Sequence, residues 1–147
     1  VATMPTGVTN SGAVDVYQRI AAAWILLGQR IVSPNGASAA DNFGSSIDLS
    51  DDGQTLVASI PSGNTPGMAV FKLVGGAWLQ QGSVMPSFIP GGSTAFGARS
   101  VAISGDGRLV AAGSQGGGLG CVNLFSQSGN TWSRPVVCAC RPERTKA

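Results

Sequence analysis

The strongest constraint in this sequence is that it repeats itself. Three segments run from a glycine to a tryptophan over nearly the same distance: Gly12 to Trp24, Gly67 to Trp78 and Gly120 to Trp132, spans of 12, 11 and 12 residues. Between them lie two further matching segments, FGSSIDLSDDGQTLVASIP from Phe43 and FGARSVAISGDGRLVAAGS from Phe96. The two Phe-Gly pairs are 53 residues apart, and Trp78 and Trp132 are 54 apart. Self-similarity at a fixed period of this size marks an architecture made from one supersecondary unit that buries its apolar surface only by stacking on its neighbours.

The pattern inside the unit is that of short strands. From Phe43 to Ser50 the apolar positions alternate, with Phe43, Ser45, Ile47 and Leu49 on one face, as in a half-buried strand. Asp51-Asp52-Gly53 is a turn, because Asp tolerates and Gly readily adopts left-handed backbone. Thr55 to Ile60 is the returning strand, Pro61 to Pro66 a loop, Met68 to Val74 a third strand, Gly75-Gly76 a two-residue hairpin turn and Ala77 to Val84 a fourth strand. The second unit repeats this from Phe96 to Val137, with one extra residue near Arg99 that predicts a bulge. The N-terminal segment carries only the last two strands, Ala13 to Ile20 and Trp24 to Ile31.

The expected organisation is therefore an extension over 1–11, a half unit over 12–31, a linker over 32–42, a unit over 43–85, a linker over 86–95, a unit over 96–138 and a basic tail over 139–147. Composition agrees: 22 Gly and 11% charged residues suit many strands joined by tight turns. The longest clear apolar run, Ile20 to Leu27, is far short of the roughly 20 residues of a membrane-spanning helix, so no direct membrane span is expected. The net charge is +2, and the clustered basic residues Arg141, Arg144 and Lys146 lack the interleaved aromatics of a nucleic-acid footprint, so no nucleic-acid partner is expected. The chain opens at Val1 without a recognisable signal segment and reads as a processed product or a piece of something longer.

The order Phe-Gly-x-Ser, Leu-Ser-x-Asp-Gly, a Val-Ala strand, a Gly-led strand and then Trp with a Gln-rich continuation resembles the FG-GAP repeat family. Phe43-Gly44, Ser46, Leu49-Ser50, Asp52-Gly53, Gly67, Trp78 and Gln80-Gln81-Gly82 carry the resemblance in the first full unit. The second keeps Phe96-Gly97, Asp106-Gly107, Gly120 and Trp132 but has Ser133-Arg134-Pro135 in place of the Gln-Gly continuation. The resemblance covers about Gly12 to Val137 and implies an all-β, partial β-propeller: about 2.5 antiparallel four-stranded blades in an open arc. A WD40-like propeller fits less well, since its period is nearer 40–45 residues and its Trp-Asp dipeptide is absent. The family's integrin-like members bind calcium in an Asp-rich loop; here Asp48, Asp51 and Asp52 are the matching candidates, while the second unit offers only Asp106 in Ser104-Gly105-Asp106-Gly107. Calcium wants six to eight oxygens, so a simple turn is the favoured expectation and no cofactor is assigned.

Catalytic chemistry is poorly supplied. With no His anywhere, the commonest general base and the Ser-His-Asp triad are both missing. Asp51 and Asp52 are adjacent on a turn, where they point apart, and a glycosidase-like pair would have to be assembled across units. Gly116-Gly117-Gly118 with Gly120 is not followed by the Lys-Ser/Thr of a phosphate loop. The repeated Trp24, Trp78 and Trp132, together with Phe43-Gly44 and Phe96-Gly97, are read as packing residues between units.

Three cysteines fall in the last quarter. If Gly129-Asn130 is a two-residue hairpin turn, Cys121 lies opposite Cys138 at a non-hydrogen-bonded position, where a disulfide is feasible, though Pro135 argues against an unbroken ladder; Cys140 is then left over. The functional expectation is a non-catalytic interaction or structural module, completed by a protein partner or by further copies. The alternatives are an accessory subunit buttressing a larger organellar or membrane-associated complex and, less favoured, a propeller hydrolase. The setting that the resemblance implies is extracellular or secreted, with an organelle lumen as the alternative.

Overall fold

The computed structural model describes residues 11–36, 41–62, 65–86, 100–116, 119–134 and 138–140. Phe96-Gly97, the extra residue near Arg99, most of the second linker, and residues 141–147 of the basic tail lie outside the described residues. The half unit gives β1 (Ala13–Val14), β2 (Tyr17–Ile20), β3 (Ala23–Leu26) and β4 (Ile31–Val32). The first full unit gives β5 (Ile47–Leu49), β6 (Thr55–Ile60), β7 (Gly67–Val74), β8 (Ala77–Gln80) and β9 (Met85–Pro86). The second gives β10 (Ser100–Ile103), β11 (Leu109–Gly116), β12 (Leu119–Ser128), β13 (Thr131–Ser133) and β14 (Cys138–Cys140). The described residues are all-β with no helix, every pairing is antiparallel, and the sheets do not close into a barrel.

Each full unit is a five-stranded sheet. In the first, β5-β6-β7-β8 pair in order and β9 also pairs with β7; in the second, β10-β11-β12-β13 pair in order and β14 also pairs with β12. The half unit forms two small sheets, β2 with β3 and β1 with β4.

The ladders make the repeat quantitative. Trp24, Trp78 and Trp132 lie across from Arg19, Leu73 and Gln127, each pair 54 residues beyond the last. The inner ladders keep the same step: Ile47 faces Ala58 as Val101 faces Ala112, and Leu56 faces Phe71 as Val110 faces Phe125.

The expected fourth strand, Ala77 to Val84, is broken. A straight ladder from each hairpin would set Ala13, Gly67 and Cys121 against Arg30, Val84 and Cys138. They pair instead with Val32, Pro86 and Cys140, two residues further on. In the first two cases the extra residues follow a glycine at positive φ, Gly28 (+76°) and Gly82 (+75°), the local kink of a bulge. The expected Ala13 to Ile20 strand is likewise split between β1 and β2.

The Phe-Gly pair also differs from its reading as strand. Phe43 to Ser46 form a turn, Asn42 and Gly44 have positive φ, and strand pairing starts only at Ile47. A Cβ on Gly44 would stand 2.6 Å from Val14 Cγ2, so glycine is what lets this turn close over the half unit. That closure drives Phe43 inward, edge-on to Phe71 with ring centroids 6.0 Å apart. The Asp-Gly turns form as read: Gly53 N–H donates to Ser50 C=O and Gly107 N–H to Ser104 C=O, both at 2.8 Å.

Alternation along β6 and β7 gives the first full unit two buried faces. One presents Leu56, Ala58, Ile60, Ala69, Phe71 and Trp78 to Val14, Val16 and Ile31 of the half unit. The other presents Val57, Met68, Val70 and Met85 to Val101, Val110, Ala112 and Phe125 of the second full unit. The described residues thus form a stack of three sheet units with two apolar seams.

Candidate functional site

The seams show what a junction between units requires. Trp78 leaves β8 with only 3% of its surface exposed and lies on the turn that follows β3. Its indole N–H donates to Leu27 C=O at 2.8 Å, its backbone N–H donates to Gln29 Oε1 at 3.0 Å, and Gln29 Nε2 donates back to Trp78 C=O at 2.7 Å. The ring passes so close to Gly28 that a Cβ there would be 2.8 Å from Trp78 Cδ1. One unit further on, Trp132 is partly buried against the second seam, and a Cβ on Gly82 would be 3.4 Å from its Cδ1. In this seam the Trp132 Nε1 and Gln81 Oε1 are buried without a hydrogen-bond partner.

The inner parts of the two full units are joined by two side-chain bonds and one backbone bond. Ile103 N–H donates to Asp48 Oδ2 at 2.8 Å, Val101 N–H donates to Ser46 Oγ at 3.0 Å, and Asp51 N–H donates to Gly105 C=O at 3.0 Å. The first two contacts satisfy edge N–H groups of β10 that a lone sheet would leave open.

Trp24 departs from the packing role expected of it. It occupies the same register position as Trp78 and Trp132, yet 68% of its surface is exposed. Tyr17, Leu26 and Val32, exposed large apolar residues, alternate or pair onto its face of the sheet, opposite the face that enters the first seam. Asp15, also on this face, is held by Arg30 through hydrogen bonds of 2.9 and 2.7 Å that raise the Arg30 guanidinium pKa. Next to Trp24 a notch of about 490 Å³ opens, lined by Asp15, Val16, Tyr17, Trp24, Ile47, Leu49 and Leu56. It lies where a full unit would carry its two inner strands. An exposed apolar surface with two aromatic side chains, Trp24 and Tyr17, has the composition of a protein-binding patch.

The calcium candidates are dispersed over different tasks. Asp48 accepts from Ile103 and, through Oδ1, from Leu49 N–H at 2.9 Å. Asp52 Oδ1 accepts from Ser50 Oγ at 2.6 Å and Gln54 N–H at 2.9 Å; these bonds, the hydroxyl first, hold its pKa below the usual carboxylate range. Asp106 repeats the arrangement with Ser104 Oγ and Arg108 N–H, and its pKa is lowered in the same way. Asp51 lies against Gly105. Among the described residues no three His, Cys, Asp or Glu side chains converge as metal ligands. Asp52 and Asp106 do share a polar cleft of about 460 Å³ between the full units, with Lys72, Arg108, Gln81 and Gln127 on its walls.

Cys121 is disulfide-bonded. The two-residue slip places Cys140 directly across from Cys121 and moves Cys138 opposite Asn123, which corrects the facing pair counted from the hairpin turn. The missed signal is the same slip in the earlier units, where Pro86 and Val32 take the place of Cys140.

Among the described residues no helix is long and apolar enough to cross a membrane. In comparisons with known proteins, no family model and no curated protein matches this chain.

Proposed function

We propose that the chain is a non-catalytic protein-interaction or structural module, an arc of FG-GAP-type propeller blades that mediates adhesion or assembly. The observation that carries this reading is the Trp24 face: a residue type and register position that are buried at the first internal seam and partly buried at the second stand open here beside an apolar notch. The 54-residue register and the face-to-face seams support the propeller-arc interpretation, because blades pack in this manner and a partial set leaves uncovered faces. The disulfide at Cys121 supports a secreted or lumenal setting, since such bonds persist in oxidising compartments. The strongest carboxylate candidates hold turns and edges and have no His beside them, which favours binding over turnover.

The test is a capture experiment with the full chain and a Trp24→Glu variant as baits. A partner retained in fixed stoichiometry by the wild type and lost with Trp24→Glu agrees with the proposal. Equal capture by both baits, or hydrolysis of a glycoside or phosphate ester that disappears in Asp48→Asn or Asp52→Asn, overturns it.

A further inference from the structure

The second seam departs from the first at four equivalent positions, and all four departures line one cleft. Backbone hydrogen bonds fix the equivalence: Leu27 N–H donates to Val16 C=O as Gln81 N–H donates to Val70 C=O, and Leu73 N–H donates to Gln54 C=O as Gln127 N–H donates to Arg108 C=O. Leu27 and Leu73 are partly buried and pack against the apolar cluster of the first seam. One 54-residue step on, both are replaced by carboxamides, Gln81 and Gln127. Over the same step Gln18 becomes Lys72 and Gln54 becomes Arg108. These replacements line the cleft of about 460 Å³ between the full units, beside Asp52 and Asp106. Neither Lys72 nor Arg108 forms a salt bridge with a described residue. In both aspartates the turn bonds fall on Oδ1, so Oδ2 takes no part in the turn. The Trp78 indole N–H of the first seam is bonded to Leu27, whereas Trp132 Nε1 and Gln81 Oε1 in the second are buried without a partner. Polar groups placed in this way cost stability unless something satisfies them.

We propose that this cleft binds a hexuronate, a sugar bearing one carboxylate, as a free sugar acid or as a residue of a polysaccharide. Lys72 and Arg108 hold the carboxylate through donors that no acid of the chain occupies. Sugar hydroxyls, each both donor and acceptor, meet the Oδ2 atoms of Asp52 and Asp106 and the Oε1 of Gln81. Simpler ligands match only part of this set. A small anion meets two carboxylates that their turn bonds keep ionised. A neutral sugar leaves both cations unused, and a dipeptide zwitterion balances the charges but brings a single ammonium to three acceptors. The volume lies within the range of about 300–1,000 Å³ of small-molecule sites. The cleft is separate from the Trp24 face, so the ligand is additional to the interaction reading and independent of it.

The test is a titration of the isotope-labelled full chain with galacturonate, followed in proton–nitrogen correlation spectra. Saturable shifts are expected at the Gln81 carboxamide and the Trp132 indole N–H, with the Trp24 and Trp78 indole signals unmoved. Lys72→Gln/Arg108→Gln restores the residues of the first seam and alters only exposed side chains. It should weaken binding roughly tenfold or more, the loss expected when hydrogen bonds to a charged group are removed. Gln81→Leu/Gln127→Leu, again the residues of the first seam, should also weaken it, with circular dichroism verifying the β signature. Digalacturonate separates the two sources: tighter binding than galacturonate identifies a polysaccharide, and equal binding the free acid. Three results overturn the inference: no saturable shift with galacturonate, equal binding of acetate, glucose or glycylglycine, or unchanged binding by Lys72→Gln/Arg108→Gln.

Discussion

Substituting the three equivalent tryptophans one at a time should give three different energies, because the stack treats them differently. Trp78 is 3% exposed, packs into the first seam and donates its indole N–H to Leu27. Truncating a buried Trp to Ala costs about 3–5 kcal/mol. For a chain of this size each kcal/mol moves the melting temperature by about 2–4 °C, so Trp78→Ala should lower it by on the order of 10 °C. Trp24, 68% exposed, should change stability by no more than about 0.5 kcal/mol when replaced by Ala. Trp132, partly buried and with an unpaired indole N–H, should fall between them. Should Trp78→Ala fail to fold, Trp78→Phe keeps most of the packing and removes the bond to Leu27, a loss of about 1 kcal/mol. Urea denaturation monitored by far-ultraviolet circular dichroism reads all four variants. A Trp24→Ala cost equal to that of Trp78→Ala would refute the argument that the first face is open.

Three further outcomes follow from particular contacts. Ala21 is held at φ 53° in the β2–β3 turn, where the later units have Gly75 and Gly129, so Ala21→Gly should raise stability by about 1 kcal/mol; a lowered melting temperature would contradict this. Asp52 and Asp106 are more acidic in the folded chain than unfolded, so their contribution is present above the ordinary carboxylate range and is lost as the pH falls through their lowered values. The melting temperature of Asp52→Asn/Asp106→Asn should accordingly fall less steeply than that of wild type below about pH 4, and parallel acid limbs would count against the turn bonds. Non-reducing peptide mapping should find Cys121 joined to Cys140, since directly opposed strand residues have Cα atoms about 4.5–5.5 Å apart, within disulfide range, whereas diagonal neighbours lie about 7–8 Å away; a Cys121–Cys138 peptide would show that the register is misassigned.

Much of the fold was legible because the repeat multiplies weak local signals. A single Asp-Gly turn or a single Trp says little. Two or three at one spacing locate the hairpins, and the β2–β3, β7–β8 and β12–β13 turns all fall where the sequence predicts them. What the sequence did not disclose was mostly offset rather than content. The two-residue slip leaves the apolar alternation on the same side of the sheet, since a shift of two preserves the face, and so it has no signature in periodicity. It surfaces only when Gly28 and Gly82 are compared at equal positions. Phe43 read as strand because alternation continues through Phe43 and Ser45 into Ile47; the positive φ of Asn42 and Gly44, set by the contact with Val14, decides otherwise. The open face was partly legible in the strand count. Which of the equivalent tryptophans is exposed depended on the half unit's place at the end of the stack.

The central claim is that Trp24 stands on an open joining face. Acrylamide quenching of a chain in which Trp78 and Trp132 are replaced by Phe isolates Trp24 fluorescence, with light scattering run on the same sample. The account predicts that the Trp24 of the lone chain is quenched almost as readily as a free indole. A Trp24 already shielded in the monomeric chain would contradict it.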